Sequence, residues 1–141
     1  MLSFTITALC CALGVDHLPH MTELERAIHM VESGGRITTD EPILGDWCPR
    51  RKVYRSRGPL QISEACWRDS GVPGNYEMVD DLAYSIKVFR KYQKRYAVPH
   101  RIGNMDINEA KSRIWNGGPN GHRKVATEKY WHNVERRING K

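Results

Sequence analysis

The stretch from Thr22 to Gly35 constrains the chain more than any other. Thr22 and Glu25 have the spacing of a capping box, so a helix starts there, and Gly34 and Gly35 supply the left-handed conformation that stops one. Between these signals Leu24, Ala27, Ile28 and Val31 recur at the spacing of one buried helical face. Glu32 follows Ile28 by four residues and therefore lies at the edge of that face, one turn before the stop. A carboxylic acid held against apolar residues resists ionisation, and its pKa rises toward the range where it can donate a proton near neutrality. The glycines beyond it leave room for a cleft. A lone glutamate near a helix end is more often a solvated residue, so further residues have to carry the argument.

The chain has 141 residues, which is one domain with enough length to bury a core. Its 22 basic residues outnumber 16 acidic ones, and the excess is confined to the second half. From Arg90 onward there are 13 basic and 4 acidic residues, against 9 and 12 before it. That field favours polyanions, whether nucleic acid, anionic lipid or the acidic polymers of a bacterial envelope, and charge alone does not choose among them. No nucleic-acid reading module accompanies it, so specific nucleic-acid binding is not expected. Cys10 and Cys11 are adjacent and Cys48 and Cys66 stand alone, which excludes a disulfide scaffold and a zinc site and leaves Cys48 to Cys66 as the one plausible bridge. His17 and His20 flank a proline and make a poor ligand pair; neither a metal nor a cofactor is expected.

Residues 2–15 form an apolar run too short to span a bilayer but suited to a signal-peptide core, with a small-residue cleavage site at Ala12-Leu13-Gly14. Residues 1–20 are accordingly read as a signal peptide or N-terminal extension, and residues 21–141 as the folded domain. The start lacks a basic residue, and a buried first helix or strand has the same pattern, so secretion or periplasmic export stands beside a cytoplasmic location with an uncleaved N-terminus. No transmembrane segment is expected.

Further along, Arg36–Thr39 and Lys52–Tyr54 are β-prone pieces in a stretch broken by Pro42, Gly45 and Pro49, which reads as a short irregular hairpin. Helices are expected from about Ser63 to Asp69, from about Asp80 to Tyr96 with Leu82, Ile86, Phe89 and Tyr92 or Gln93 inward, from Asp106 to the Asn116-Gly117-Gly118-Pro119 turn with Ile107, Ala110 and Ile114 inward, and from about Ala126 to Ile138. The whole is a mostly helical α+β domain with one small β region.

Three segments together resemble the invertebrate-type lysozymes, the destabilase family, and their bacterial relatives. They are Val31-Glu32-Ser33-Gly34-Gly35; Gly58-Pro59-Leu60-Gln61-Ile62 followed by Ala65-Cys66-Trp67-Arg68-Asp69; and Arg113 to Gly121 with Ala126-Thr127 and Tyr130-Trp131 downstream. Order and spacing match from about Glu25 to Val134. The resemblance implies a lysozyme-like fold and hydrolysis of the β-1,4 bond between N-acetylmuramic acid and N-acetylglucosamine in peptidoglycan, a bacteriolytic activity. It places the general acid at Glu32, and the second carboxylate a few residues ahead of the Gly-x-x-Gln-Ile motif, where Asp46 is the best candidate. Here Trp47 to Arg57 is longer than usual, most family cysteines are absent, Trp115 stands where a His is common, and Cys66 where an aromatic is frequent.

The chemistry fits the residues on its own terms. Glycoside cleavage uses one protonated carboxyl and one ionised carboxylate. Glu32 at an apolar helix edge suits the first role, and Asp46 in a polar turn near arginines suits the second. Ser33, Gln61, Trp115, Asn116, Gly117 and Tyr130 are the candidate substrate-binding residues; Trp131 is more readily core. Two alternatives stay open. One is a lytic transglycosylase of the same fold, which needs a single acid/base. The other is a catalytically silent cationic protein that binds the anionic cell wall.

Overall fold

The computed structural model describes residues 18–141, so the apolar N-terminal run, Cys10, Cys11 and His17 lie outside the described residues. The capping box forms as expected: Thr22 Oγ1 accepts from the Glu25 backbone N–H at 3.2 Å, and Glu25 Oε2 accepts from the Thr22 N–H at 2.9 Å. Helix α1 runs Glu23–Ser33, and Gly34 ends it at φ 67°. Two-residue strands β1 (Trp47–Cys48) and β2 (Val53–Tyr54) make an antiparallel hairpin in which Trp47 faces Tyr54 and Cys48 faces Val53. Helices α2 (Glu64–Ser70), α3 (Leu82–Tyr96), α4 (Pro99–Ile102), α5 (Ile107–Gly117) and α6 (Glu128–Ile138) complete the order. Single 3-10 turns precede α3 at Tyr76–Asp80 and separate α5 from α6 at Gly121–Arg123 and Val125–Thr127.

Helix α1 packs on α6, α6 on α5, and α2 on α3. The core they enclose gathers Ile28 of α1, Leu60 and Ile62 of the loop before α2, Val79, Ile86, Val88 and Phe89 around α3, and Val134 of α6. The inward face expected for α3 is the observed one, with Leu82, Ile86, Phe89, Tyr92 and Gln93 all buried. Two bidentate ion pairs tie elements together. Arg90 of α3 clasps Glu25 of α1 through both carboxylate oxygens at 2.7 and 2.9 Å. Arg57, at the foot of the hairpin, clasps Asp80 at 3.0 and 2.5 Å.

Two expectations are corrected. Arg36–Thr39 forms no strand, because its first residue is tied back to the helix end: the Arg36 carbonyl accepts from His29 Nε2 at 2.7 Å, and Arg36 Nε donates to the Ser33 carbonyl at 2.9 Å. The first strand is instead Trp47–Cys48, so the lengthened stretch from Trp47 to Arg57 is the hairpin itself. Ile107 is 43% exposed, since the first residue of α5 lies beyond the core that Ala110 and Ile114 reach. Cys48 and Cys66 are both free thiols. Cys66 packs against the core, where burial, aided by Asp69, pushes its thiol up to about 12, whereas Cys48 faces a cavity beneath the hairpin.

Sequence patterning also gave no hint of a buried cation between α5 and α6. Arg113 is 7% exposed, and its guanidinium donates to Thr127 Oγ1 at 3.0 Å, Glu109 Oε1 at 2.6 Å and the Lys124 carbonyl at 3.1 Å. One side chain thereby satisfies the turn that leads into α6. Arg113→Ala removes these bonds and takes from the buried Thr127 hydroxyl the N–H donor it accepts. It is expected to cost about 3 kcal/mol, read as a lower urea midpoint at unchanged slope.

Candidate active site

Glu32 reaches the surface where α1 stops. Ser33, the next residue, turns inward: it is buried, and its hydroxyl is within reach of the His29 and Arg36 carbonyls at 3.3 and 3.4 Å. Ser33 thus closes the helix end, and Gly34 sends the chain away from it. Glu32 is left half-buried at the wall of a cleft of about 300 Å³. Gly45, Asp46, Ser56, Gln61, Trp115 and Asn116 form the rest of the lining.

The single hydrogen bond to the Glu32 carboxyl from the described residues comes from α6, where the Tyr130 hydroxyl donates to Oε1 at 2.6 Å. Burial pushes the Glu32 carboxyl up to about 7, and the Tyr130 bond, which favours the ionised form, only partly opposes it. Tyr130 is itself held well above its ordinary range by burial and by the neighbouring carboxylate. With Oε1 engaged as an acceptor, Oε2 is the oxygen free to carry a proton into the cleft.

The opposite wall is the foot of the hairpin. Gly45 N–H donates to the Ser56 carbonyl at 2.9 Å, and Arg55 N–H donates to the Asp46 carbonyl at 2.8 Å, so the strands grip each other on either side of Asp46. The approach requires glycine: a Cβ on Gly45 would come within 2.1 Å of Ser56 Oγ and 2.7 Å of Gln61 Oε1. Gln61 takes the left-handed conformation at φ 50° and acts as a strut. Its amide nitrogen donates to the Ile43 and Gly58 carbonyls at 3.2 and 2.9 Å, and its oxygen accepts from Ser56 Oγ at 2.9 Å. Asp46 itself is exposed on the cleft.

Of the residues singled out in the sequence, Glu32, Asp46, Gln61, Trp115 and Asn116 line one cleft. Trp115 is held edge-on to Phe89 and Tyr92, with ring centroids 5.0 and 5.9 Å apart, and Asn116 is exposed on the last turn of α5. Ser33, Gly117 and Tyr130 lie outside the lining. Gly117 serves packing, since a Cβ there would meet Thr127 Cγ2 at 2.5 Å. Trp131 packs against the core. Ser56 was not anticipated, because only the hairpin register brings it opposite Gly45, and a serine between two arginines carries no signal of that pairing.

No family model matches the chain. Individual relatives do. It is 35% identical to the invertebrate-type lysozyme of Ruditapes philippinarum over 123 residues, which is 84% of this chain and 83% of that protein. It is 38% identical to Lysozyme 1 of Crassostrea virginica over 112 residues, 78% of this chain, although the match spans only 55% of that longer protein. Among solved structures, the crystal structure of Tapes japonica lysozyme superposes with a TM-score of 0.66 at 30% identity, covering 82% of this chain and 89% of that one. Meretrix lusoria lysozyme in complex with Aeromonas hydrophila PliI gives 0.65 at 27% identity, over 82% and 88%. With this sequence identity over most of the chain and the shared architecture, the protein belongs to the invertebrate-type lysozyme family.

Proposed function

We propose that this lysozyme-family glycoside hydrolase cleaves the β-1,4 bond between N-acetylmuramic acid and N-acetylglucosamine in bacterial peptidoglycan, with Glu32 as general acid and Asp46 as the second carboxylate. The observation that carries the reading is the contrast across the cleft. Glu32 is desolvated, its pKa is about 7, and it is oriented by the Tyr130 hydroxyl, whereas Asp46 stands exposed on the facing wall. Protonated Glu32 gives its proton to the glycosidic oxygen as the bond to the anomeric carbon breaks. Asp46 stabilises or attacks the resulting positive carbon. Glu32, now ionised, then takes a proton from the water that completes hydrolysis. Trp115 and Asn116 supply an aromatic face and a polar edge for the sugar. The positive second half of the chain favours association with the anionic bacterial wall, a substrate met outside the cell that makes the enzyme. Among the described residues no helix is long and apolar enough to cross a membrane.

The pH profile follows from Glu32. Activity requires its protonated form, so turnover should fall as pH rises through about 7. Glu32→Gln should lose nearly all turnover while still binding chitooligosaccharide. In Tyr130→Phe the bond that favours the ionised carboxyl is gone, so the alkaline limb of kcat against pH should move to higher pH. An unmoved limb would detach Tyr130 from the acid.

The role of Asp46 is tested by stereochemistry. A nucleophilic Asp46 requires a carboxyl separation of about 5–5.5 Å and retains the anomeric configuration, whereas about 6.5–9.5 Å admits a water and inverts it. Retention is expected, because the Gly45–Ser56 pairing holds Asp46 at the hairpin foot whatever the length of hairpin beyond it. Proton NMR of the first-formed anomer should show the β product, and an initial α product would rule out Asp46 as nucleophile. Asp46→Asn should lose most activity. Mass spectra of digested peptidoglycan should show reducing ends; 1,6-anhydro ends would identify a lytic transglycosylase instead.

A further inference from the structure

The lengthened hairpin encloses a cavity of its own. It measures about 530 Å³, more than the cleft beside Glu32, and lies between the hairpin and the start of α2. Ser56 lines both, so the two spaces adjoin at the hairpin foot. Two features of this cavity serve nothing described so far.

The first is charge. Arg51, Lys52 and Arg55 line the cavity, and none of them forms an ion pair among the described residues. The other charged lining groups are already matched: Arg57 is clasped by Asp80, and Glu64 accepts from Arg68 at 2.5 Å. The second feature is exposed aromatic surface. Trp47 and Tyr54 sit edge to face, with centroids 5.0 Å apart, yet remain 50% and 46% exposed, and Val53 beside them is 45% exposed. A hairpin with two residues in each strand gains little from presenting such groups to water. Three unmatched cations around an aromatic floor suit a ligand that is both anionic and partly apolar.

We infer that this cavity binds the peptide stem of the substrate through its free carboxylates. The inference rests on the reading of the neighbouring cleft as a peptidoglycan hydrolase site. A glycan strand held over Glu32 and Asp46 is itself uncharged along its sugar backbone apart from what its muramic acid residues bear. Those residues bear, through a lactyl ether, short peptides with several carboxylates and small alkyl side chains. A stem leaving the cleft past Ser56 meets Arg51, Lys52 and Arg55 for its carboxylates and the Trp47 and Tyr54 rings for its methyl groups. The hairpin thereby makes the enzyme selective for peptide-bearing over naked glycan.

The test compares kcat/KM on three soluble glycan chains of equal length, free of phosphate polymers: one with peptide stems, one with the stems removed by an amidase, and one with stem carboxylates converted to amides. Wild type should prefer the peptide-bearing chain by about tenfold over both others, which corresponds to about 1.4 kcal/mol. The double variant Arg51→Gln, Lys52→Gln should lose that preference while cleaving the naked chain as fast as wild type, which also shows that it is folded. Wild type cleaving all three chains alike, or a double variant that keeps the preference, overturns the stem site and leaves the hydrolase reading intact. An amidated chain preferred as strongly as the acidic one overturns the assignment to carboxylates. Wild type cleaving none of the three overturns the hydrolase reading, and the stem site with it.

Discussion

The packing of α6 on α1 is the contact on which the rest of the active site depends. Ile28 and Val134 are fully buried members of one core, and each is followed or preceded by a functional group one helical turn away. Glu32 lies four residues after Ile28, and Tyr130 lies four residues before Val134, so the helical repeat that buries the two aliphatic residues also carries the carboxyl and the hydroxyl to the mouth of the same seam. The hydrogen bond between them, across 98 residues of sequence, is a by-product of apolar packing. Anything that moves α6, including the Arg113 network that fixes its approach, moves the partner of the acid.

Two glutamates on one helix show how the choice of partner sets their chemistry. Glu25 and Glu32 are seven residues apart, two turns along a similar face of α1. Burial acts to raise both. At Glu25 the guanidinium of Arg90, with the Thr22 backbone N–H, overcomes burial and holds the carboxyl below its ordinary range. At Glu32 the partner is a neutral phenol, which supplies a hydrogen bond but no charge, and burial prevails. An arginine in the place of Tyr130 would give a second structural ion pair where the proposed mechanism needs an acid. On one helix a buried glutamate is thus an ion-paired staple or a carboxyl with a raised pKa, according to whether its partner carries a charge.

How much of this was legible in the sequence follows from how local each signal is. Helix α1, its caps and the edge position of Glu32 are written in spacings of three and four residues, and the structure has them at the expected residues. The inward face of α3 is equally local. The hairpin is not. Its strands are two residues long, and Lys52 closes the turn at φ 52°, a conformation that a lysine does not advertise. The β-prone Arg36–Thr39 competes for the same assignment, and its tether to His29, which excludes it, is not local in the sequence. Asp46 is a candidate through its distance from the Gly-x-x-Gln-Ile motif, whereas Ser56 and the strut-like use of Gln61 emerge only once the strands are in register. Tyr130 reads in the sequence as a substrate-binding residue and not as the partner of Glu32, since nothing in a sequence pairs two residues on helices at opposite ends of the chain.

A carboxyl held near 7 also has a thermodynamic consequence for the fold that carries it. Between the ordinary glutamate range and about 7 the folded chain binds a proton that the unfolded chain has released, so this group's contribution to stability declines as pH rises across that window. Above it, keeping Glu32 ionised and desolvated costs about 3 kcal/mol relative to an unperturbed glutamate, a sizeable share of what a domain of this size has to spare. The residues around it are arranged so that this cost is met locally. Tyr130 offers the one donor that lessens it without abolishing it, Ser33 and His29 seal the helix end behind the carboxyl, and Gln61 braces the facing wall through three internal hydrogen bonds. Relaxation that would let more water reach Glu32, lower its pKa and recover the lost stability therefore requires several packed elements to give way together. That coupling is what keeps a destabilising acid in place.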